Sequence, residues 1–267
     1  MNRIDRKFKD LRKEKKKAFI AYITAGDPDL ATTGKIVLTL EKAGVDLVEL
    51  GIPFSDPLAD GPTIQAASQR ALNKKVNLKK IFKTTGVLRD KADIPVVFMT
   101  YYNPVLKYGL EKFVSDCKRC GVDGVIVPDL PHDEANDLIL SAKKKKIATI
   151  FLVAPTSTPN RIKDIAAASR GFVYYVSLTG VTGARTKLPA EVISKVNLIK
   201  SVTKKPVCVG FGVSTPKQAK AIARAADGVI VGSAIVKIIG ENQNNRIRLL
   251  SKVSKFSKSL AKAIHGA

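Results

Sequence analysis

Histidine is scarce in this chain: two residues in 267, His132 and His265. Neither ends a strand-like run, which argues against a histidine base. The chain has three cysteines. Cys117 and Cys120 form "CKRC" near the end of an amphipathic helical segment, and Cys208 lies in a separate strand-like run. With no second C-x-x-C pair, a structural zinc site is not expected. The odd count suits a reducing compartment. No apolar run reaches the roughly 18 residues of a membrane helix. The basic start, "MNRIDRKFKDLRKEKKKAF", is not followed by an apolar segment and a cleavage site. A cytoplasmic protein is the expectation. Acidic residues are few, with 23 Asp and Glu against 46 Lys and Arg, a formal charge of +23. Such a balance can mark nucleic-acid binding. Here the lysines fall in "KEKKK", "NKK", "LKK" and "AKKKK", on predicted helices and without interleaved aromatics. They read as solvated helix faces, still compatible with an acidic partner or a phosphorylated substrate. Neither a G-x-G-x-x-G after the first strand nor a G-x-x-x-x-G-K-[ST] is present, so the common nucleotide-binding fingerprints are missing.

What the chain does have is a series of short β-branched runs: "AFIAYIT" (18–24), "DLVELGI" (46–52), "PVVFMT" (95–100), "GVIVPD" (124–129), "ATIFLVA" (148–154), "FVYYVS" (172–177), "PVCVGF" (206–211) and "GVIVGS" (228–233). Most are continuously apolar, the pattern of parallel strands covered on both faces. Segments of helical spacing lie between them, such as Ile36, Leu40 and Ala43. "AGVDLVELG", "CGVDGVIVPD" and "AADGVIVGS" repeat one design, in which a helix ends, an Asp makes the turn and a strand begins. Eight such units predict an α/β fold, a (β/α)8 TIM barrel forming one domain over 1–267. An extra N-terminal helix precedes it, and a short phosphate-binding helix follows the eighth strand.

In such a barrel, chemistry sits at the C-terminal ends of the strands. Two themes appear there. Gly180, Gly183, Gly210, Gly212 and Gly232 allow close backbone approach, and "GSAIVKII" predicts a helix starting at Ser233. A helix N-terminus behind a glycine offers free N–H groups and a positive dipole end. Gly183, Gly212, Gly232 and Ser233 are therefore a candidate phosphate cradle; tight βα turns are the alternative. The second theme is carboxylate. Glu49 sits inside the apolar run "LVELGI". Buried and unpaired, its pKa would rise toward the range of a general acid–base group. A structural glutamate bonded to backbone or hydroxyls is the other reading. Asp60 follows in the next loop, as catalyst or turn cap; Asp27, Asp56 and Asp129 also suit turns. No strand core carries a lysine, which argues against a Schiff-base aldolase. Tyr22, Tyr101, Tyr174 and Phe211 lie near strand ends and suggest an aromatic or apolar substrate part, with core packing as the alternative.

The stretch "ELGIPFSDPLADGPTIQ" resembles the signature of the tryptophan synthase alpha chain family. "TAGDPD", "GVTGAR", "GFGVSTP" and "GSAIVKII" extend the resemblance over essentially the whole chain. It implies a carbon–carbon lyase that cleaves indole-3-glycerol phosphate to indole and glyceraldehyde 3-phosphate. It places the catalytic carboxylates on Glu49 and Asp60. It places substrate contacts on Tyr22, Tyr101, Thr182 and Phe211, to which the strand-end position adds Tyr174, and phosphate contacts on Gly183, Gly212, Gly232 and Ser233. Thr182 would belong to a loop that closes over substrate. At position 22 the family leads one to expect phenylalanine, so the tyrosine hydroxyl is a departure. The resemblance also implies a beta-chain partner in an alpha2beta2 heterotetramer, with pyridoxal phosphate in that partner and no cofactor in this chain. The contact face would include Pro53 to Asp56 and Asn103–Pro104. A stand-alone indole-releasing lyase and a silent, partner-binding barrel are the competing readings; both carboxylates being present argues against the second.

Overall fold

The computed structural model describes residues 1–176, 190–210 and 212–267. Among them, nine parallel strands form one sheet in the order β5-β4-β3-β2-β1-β9-β8-β7-β6. They are β1 Ala18–Thr24, β2 Leu47–Gly51, β3 Val96–Met99, β4 Gly124–Ile126, β5 Ala148–Ile150, β6 Leu152–Val153, β7 Val173–Val176, β8 Val207–Gly210 and β9 Gly228–Val231. The two ends of this order, β5 and β6, are halves of one run separated only by Phe151. β5 pairs with β4 and β6 with β7, so the sheet closes into a barrel of eight staves. The fifth run, expected to be continuous, breaks because the Phe151 N–H turns to Ser169 Oγ at 3.3 Å. The fourth is shorter than its apolar run: after Ile126 the chain turns, with Leu130 N–H donating to the Val127 carbonyl at 3.1 Å.

Alternation sorts each strand into two faces. In β1, Ala18 and Ile20 point into the barrel beside Leu47, Val97, Ile126, Ile150 and Ile230, while Phe19, Ala21 and Ile23 pack outward under the helices. The expected N-terminal helix is α1, Arg3–Lys13. Its buried residues, Ile4, Phe8 and Leu11, recur at helical spacing and join the interior cluster. Phe8 meets Phe172 with ring centroids 5.9 Å apart. The helix thus plugs the N-terminal mouth, and each such side chain contributes about 1.5–3 kcal/mol by leaving water.

The repeated Asp has a more specific task than making a turn. Asp46 Oδ2 accepts the Phe19 N–H at 2.9 Å, Asp123 Oδ2 that of Val96 at 3.0 Å, and Asp227 Oδ2 that of Val207 at 3.0 Å. In each case the aspartate before one strand satisfies an N–H at the start of its neighbour. The backbone bond returns: the N–H of each Asp donates to the carbonyl of that same partner at 2.8 Å. Among the described residues, no helix is long and apolar enough to cross a membrane.

Candidate active site

The C-terminal mouth opens into a cavity of about 790 Å³. Tyr22, Asp60, Tyr174, Gly212, Gly232 and Ser233 all line it. Six residues singled out in the sequence are therefore brought to one space. Glu49 is not in the cavity wall itself; it lies on the interior face of β2, two residues beyond the interior residue Leu47, and is level with Tyr22 of the wall in the pairing with β1. Tyr101 also stands apart. It is buried, its ring packs on Phe54 at 5.4 Å between centroids, and its hydroxyl accepts the Ala59 N–H at 2.9 Å. Its position braces the loop that carries Asp60. Thr182, Gly183 and Phe211 lie outside the described residues.

Glu49 is fully buried, and neither carboxyl oxygen has a hydrogen-bond partner among the described residues. Of the two readings open in the sequence, a glutamate bonded to backbone or hydroxyls is not what the structure contains. Burial withdraws water from the carboxylate, so the neutral acid is favoured and the pKa is pushed up to about 8. Asp60 is only partly buried. Its pKa is raised by loss of water, while the nearby Tyr101 hydroxyl works in the opposite direction. The site therefore combines a carboxyl that keeps its proton at neutral pH with a more easily ionised carboxyl on a loop. Pairs whose environments separate their pKa values suit acid–base work.

Tyr22 is held by its surroundings. It is buried, and burial followed by the charge of Asp60 pushes its phenol upward, keeping it neutral. A Cβ on Gly51 would collide with its hydroxyl, so glycine at the end of β2 makes room for the oxygen where phenylalanine was expected. Tyr174 is likewise buried and its phenol held high by burial, then by the charge of Glu49.

The helix α11, Ser233–Glu241, also begins at the cavity, where a Cβ on Gly232 would lie 3.4 Å from the Tyr22 Cβ. Several helices of the barrel start on capping side chains: Asp29 accepts from Thr32 N–H, Thr215 from Gln218 N–H and Asn245 from Arg248 N–H, whereas the helices headed by Gly61, Gly109 and Ala135 do not. Gly232 heads α11 and offers no side-chain cap. Gly232, Ser233 and Ala234 line the cavity, with Gly212 and Ser214 also in its wall, while the Ile235 and Val236 N–H groups already donate to the Gly232 carbonyl at 2.8 and 3.1 Å. An uncapped helix N-terminus of this kind favours an anion.

The sequence reading missed the apolar lining. Ile64, Met99, Leu152, Val176 and Ile230 give the cavity an apolar wall. Its signal was period two: Met99, Leu152 and Val176 each lie two residues beyond the interior residues Val97, Ile150 and Tyr174. Other singled-out groups serve structure. Both oxygens of Asp129 accept the Tyr102 N–H, at 2.9 and 3.1 Å, and Ser55 donates to Asp56 at 2.6 Å. Cys117 and Cys120 are both buried, and burial raises both thiols.

The family model described as tryptophan synthase alpha chain matches residues 8–265. A tryptophan synthase alpha chain from Caldanaerobacter subterraneus subsp. tengcongensis is 52% identical over 264 residues, covering 99% of this chain and 100% of the relative. The crystal structure of the alpha chain from Legionella pneumophila subsp. pneumophila superposes with a TM-score of 0.91 at 37% identity, covering 99% of this chain and 97% of that one. A Mycobacterium tuberculosis tryptophan synthase structure gives 0.89 at 38% identity, with 99% and 98% covered. The chain therefore belongs to the tryptophan synthase alpha chain family, the lyase component that cleaves indole-3-glycerol phosphate.

Proposed function

We propose that Glu49 and Asp60 perform this cleavage on a substrate whose phosphate rests on the N-terminus of α11. The observation that carries the reading is Glu49: a fully buried carboxyl with both oxygens unpartnered among the described residues, level with Tyr22 of the cavity wall. Leaving a carboxyl in that state costs stability. A proton donor needs that state, because a partnered carboxylate would not hold a proton near neutral pH.

The chemistry follows from what must move. The bond between indole C3 and the glycerol side chain cannot break until the ring can accept its electrons. Glu49 gives its proton to C3, which makes the ring an indolenine cation. Asp60 accepts the indole N–H and stabilises the positive charge that develops there. The side-chain hydroxyl adjacent to C3 then loses its proton as the carbon–carbon bond breaks. The bonding pair returns to the ring as indole, and the other fragment leaves as glyceraldehyde 3-phosphate. Glu49, having given up its proton, is a base for that hydroxyl. The apolar wall receives the indole, Tyr22 and Tyr174 contact it, and Gly212, Gly232 and Ser233 take the phosphate. Thr182, Gly183 and Phe211 complete the proposed contacts. Tyr101 acts through the loop it braces.

The family implies a beta-chain partner. We place the contact on Pro53 to Asp56 and Asn103–Pro104, in an alpha2beta2 heterotetramer, with pyridoxal phosphate held by the beta chain. Exposed apolar residues beside this face support it: Leu58 is 92% and Leu106 59% exposed. The assembly is assigned to the cytoplasm. The test is to supply the purified protein with indole-3-glycerol phosphate, with and without a beta chain, and measure indole. Indole release that rises with the partner is expected; none under either condition would contradict the reading.

A further inference from the structure

The two ends of the cavity sit on different elements. Asp60 immediately precedes α3, Pro62–Asn73, whose N-cap is Gly61, and Gln65 of α3 donates to the Asp60 carbonyl at 2.8 Å. The anion end is the start of α11. A substrate that touches both ends is cleaved only if α3 and α11 keep a fixed spacing.

Arg70 lies between them. It projects from α3, and its Nε and Nη2 donate to the two oxygens of Asp27, each at 2.8 Å. The Asp27 side chain is 0% exposed. The turn that holds Asp27 is closed by its backbone, with the Asp27 N–H donating to the Thr24 carbonyl at 3.3 Å, so the carboxylate is left for Arg70. The guanidinium also rests on α11: a Cβ on Gly240 would lie 2.9 Å from Nη2 and 3.3 Å from Cζ. Glycine inside a helix is unfavourable, and here it leaves room for the guanidinium. One planar group thus joins the loop after β1, the helix behind Asp60 and the helix that begins at Ser233.

We propose that Arg70, clamped by Asp27 and seated on Gly240, is a positioning residue that sets the spacing between Asp60 and the α11 N-terminus. It rests on the two-ended site described above. Arg70 touches no substrate; it acts on where two binding elements stand.

The experiment measures indole release, thermal melting and glycerol 3-phosphate binding for wild type, Arg70→Met, Arg70→Lys and Gly240→Ala. Arg70→Met is expected to lower kcat about 100-fold, the scale of a small misplacement of reacting groups, while glycerol 3-phosphate, which uses one end only, binds within about twofold of wild type. Arg70→Lys recovers part of the rate at most, because an ammonium cannot span both carboxylate oxygens. Gly240→Ala keeps the charge and improves helix propensity, yet displaces the guanidinium; about a tenfold fall in kcat without a lower melting temperature is expected. If Arg70→Met does not fold, Gly240→Ala decides. Wild-type kcat in Gly240→Ala, or loss of glycerol 3-phosphate binding in step with kcat in Arg70→Met, overturns the clamp. A wild type that releases no indole overturns the lyase assignment of the residues instead.

Discussion

At the N-terminal end of the barrel, buried carboxylates are fully engaged; at the C-terminal end, Glu49 is not. Asp123 accepts from the Val96 N–H at 3.0 Å, pairs with Arg89 at 3.0 Å and with Arg3 at 3.1 Å. Asp46 holds the Phe19 N–H at 2.9 Å and His265 Nε2 at 2.8 Å. Asp227, only half-buried, holds the Val207 N–H at 3.0 Å and Lys200 at 3.1 Å. Every one of these acids replaces its lost water with donors. Glu49 sits in the same sheet, more deeply buried, with none. The same functional group is thus used to fasten strands at one end and to keep a proton at the other. The difference lies in the donors around it, and barrels generally divide stability and chemistry between these ends.

The comparison is broken most completely at Glu49. Glu49→Gln keeps the shape and removes the transferable proton, so indole release should fall by about 1000-fold or more while substrate still binds. Steady-state rates and direct substrate titration together check this. Next is Asp60→Asn, which should cost about 100-fold in kcat by removing the charge that faces the indole nitrogen. The N-terminal end should answer differently. Asp123→Ala leaves the Val96 N–H without its acceptor and the largely buried Arg89 without its ion-pair partner, and should cost about 3 kcal/mol in denaturant unfolding. The fraction that remains folded should turn over at the wild-type rate. Ser233→Ala should have the smallest effect, a rise of about threefold in KM with little change in kcat, since backbone N–H groups of α11 remain.

The pH dependence sharpens the same contrast. In the unfolded chain Glu49 ionises near its ordinary 4.5; in the folded barrel it keeps its proton to about 8. Between these values the folded state holds the extra proton, so this group makes stability fall as pH rises through the window and adds no further change above it. Glu49→Gln should remove that fall, and its gain over wild type should be greatest above pH 8. Catalysis should show a basic limb near 8 from the same group. Its acidic limb should come from Asp60, displaced upward from the usual carboxyl value by burial.

Much of this was legible in the chain. Continuous β-branched runs marked the staves, and "LVELGIPFSDPLADG" marked one carboxylate inside a strand and one on the loop after it. What stayed hidden depended on partners distant in sequence. Ser169 captures the Phe151 N–H from 18 residues away and breaks the fifth run. Asp27 reads as a turn residue because Arg70 lies 43 residues further on. The repeated Asp reads locally as a turn, although its acceptor role belongs to the neighbouring strand. Glu49 could have been bonded or bare. Sequence does not decide this, because an unfilled hydrogen bond is a property of all the residues that surround it.

The most direct measurement is the ionisation of Glu49 itself. Infrared difference spectra of wild type against Glu49→Gln, recorded across pH, isolate its carboxyl stretch. A protonated carboxyl present at pH 7 and lost as pH passes about 8 is the predicted result. A carboxylate already ionised at pH 6 would contradict the assignment of Glu49 as the proton donor.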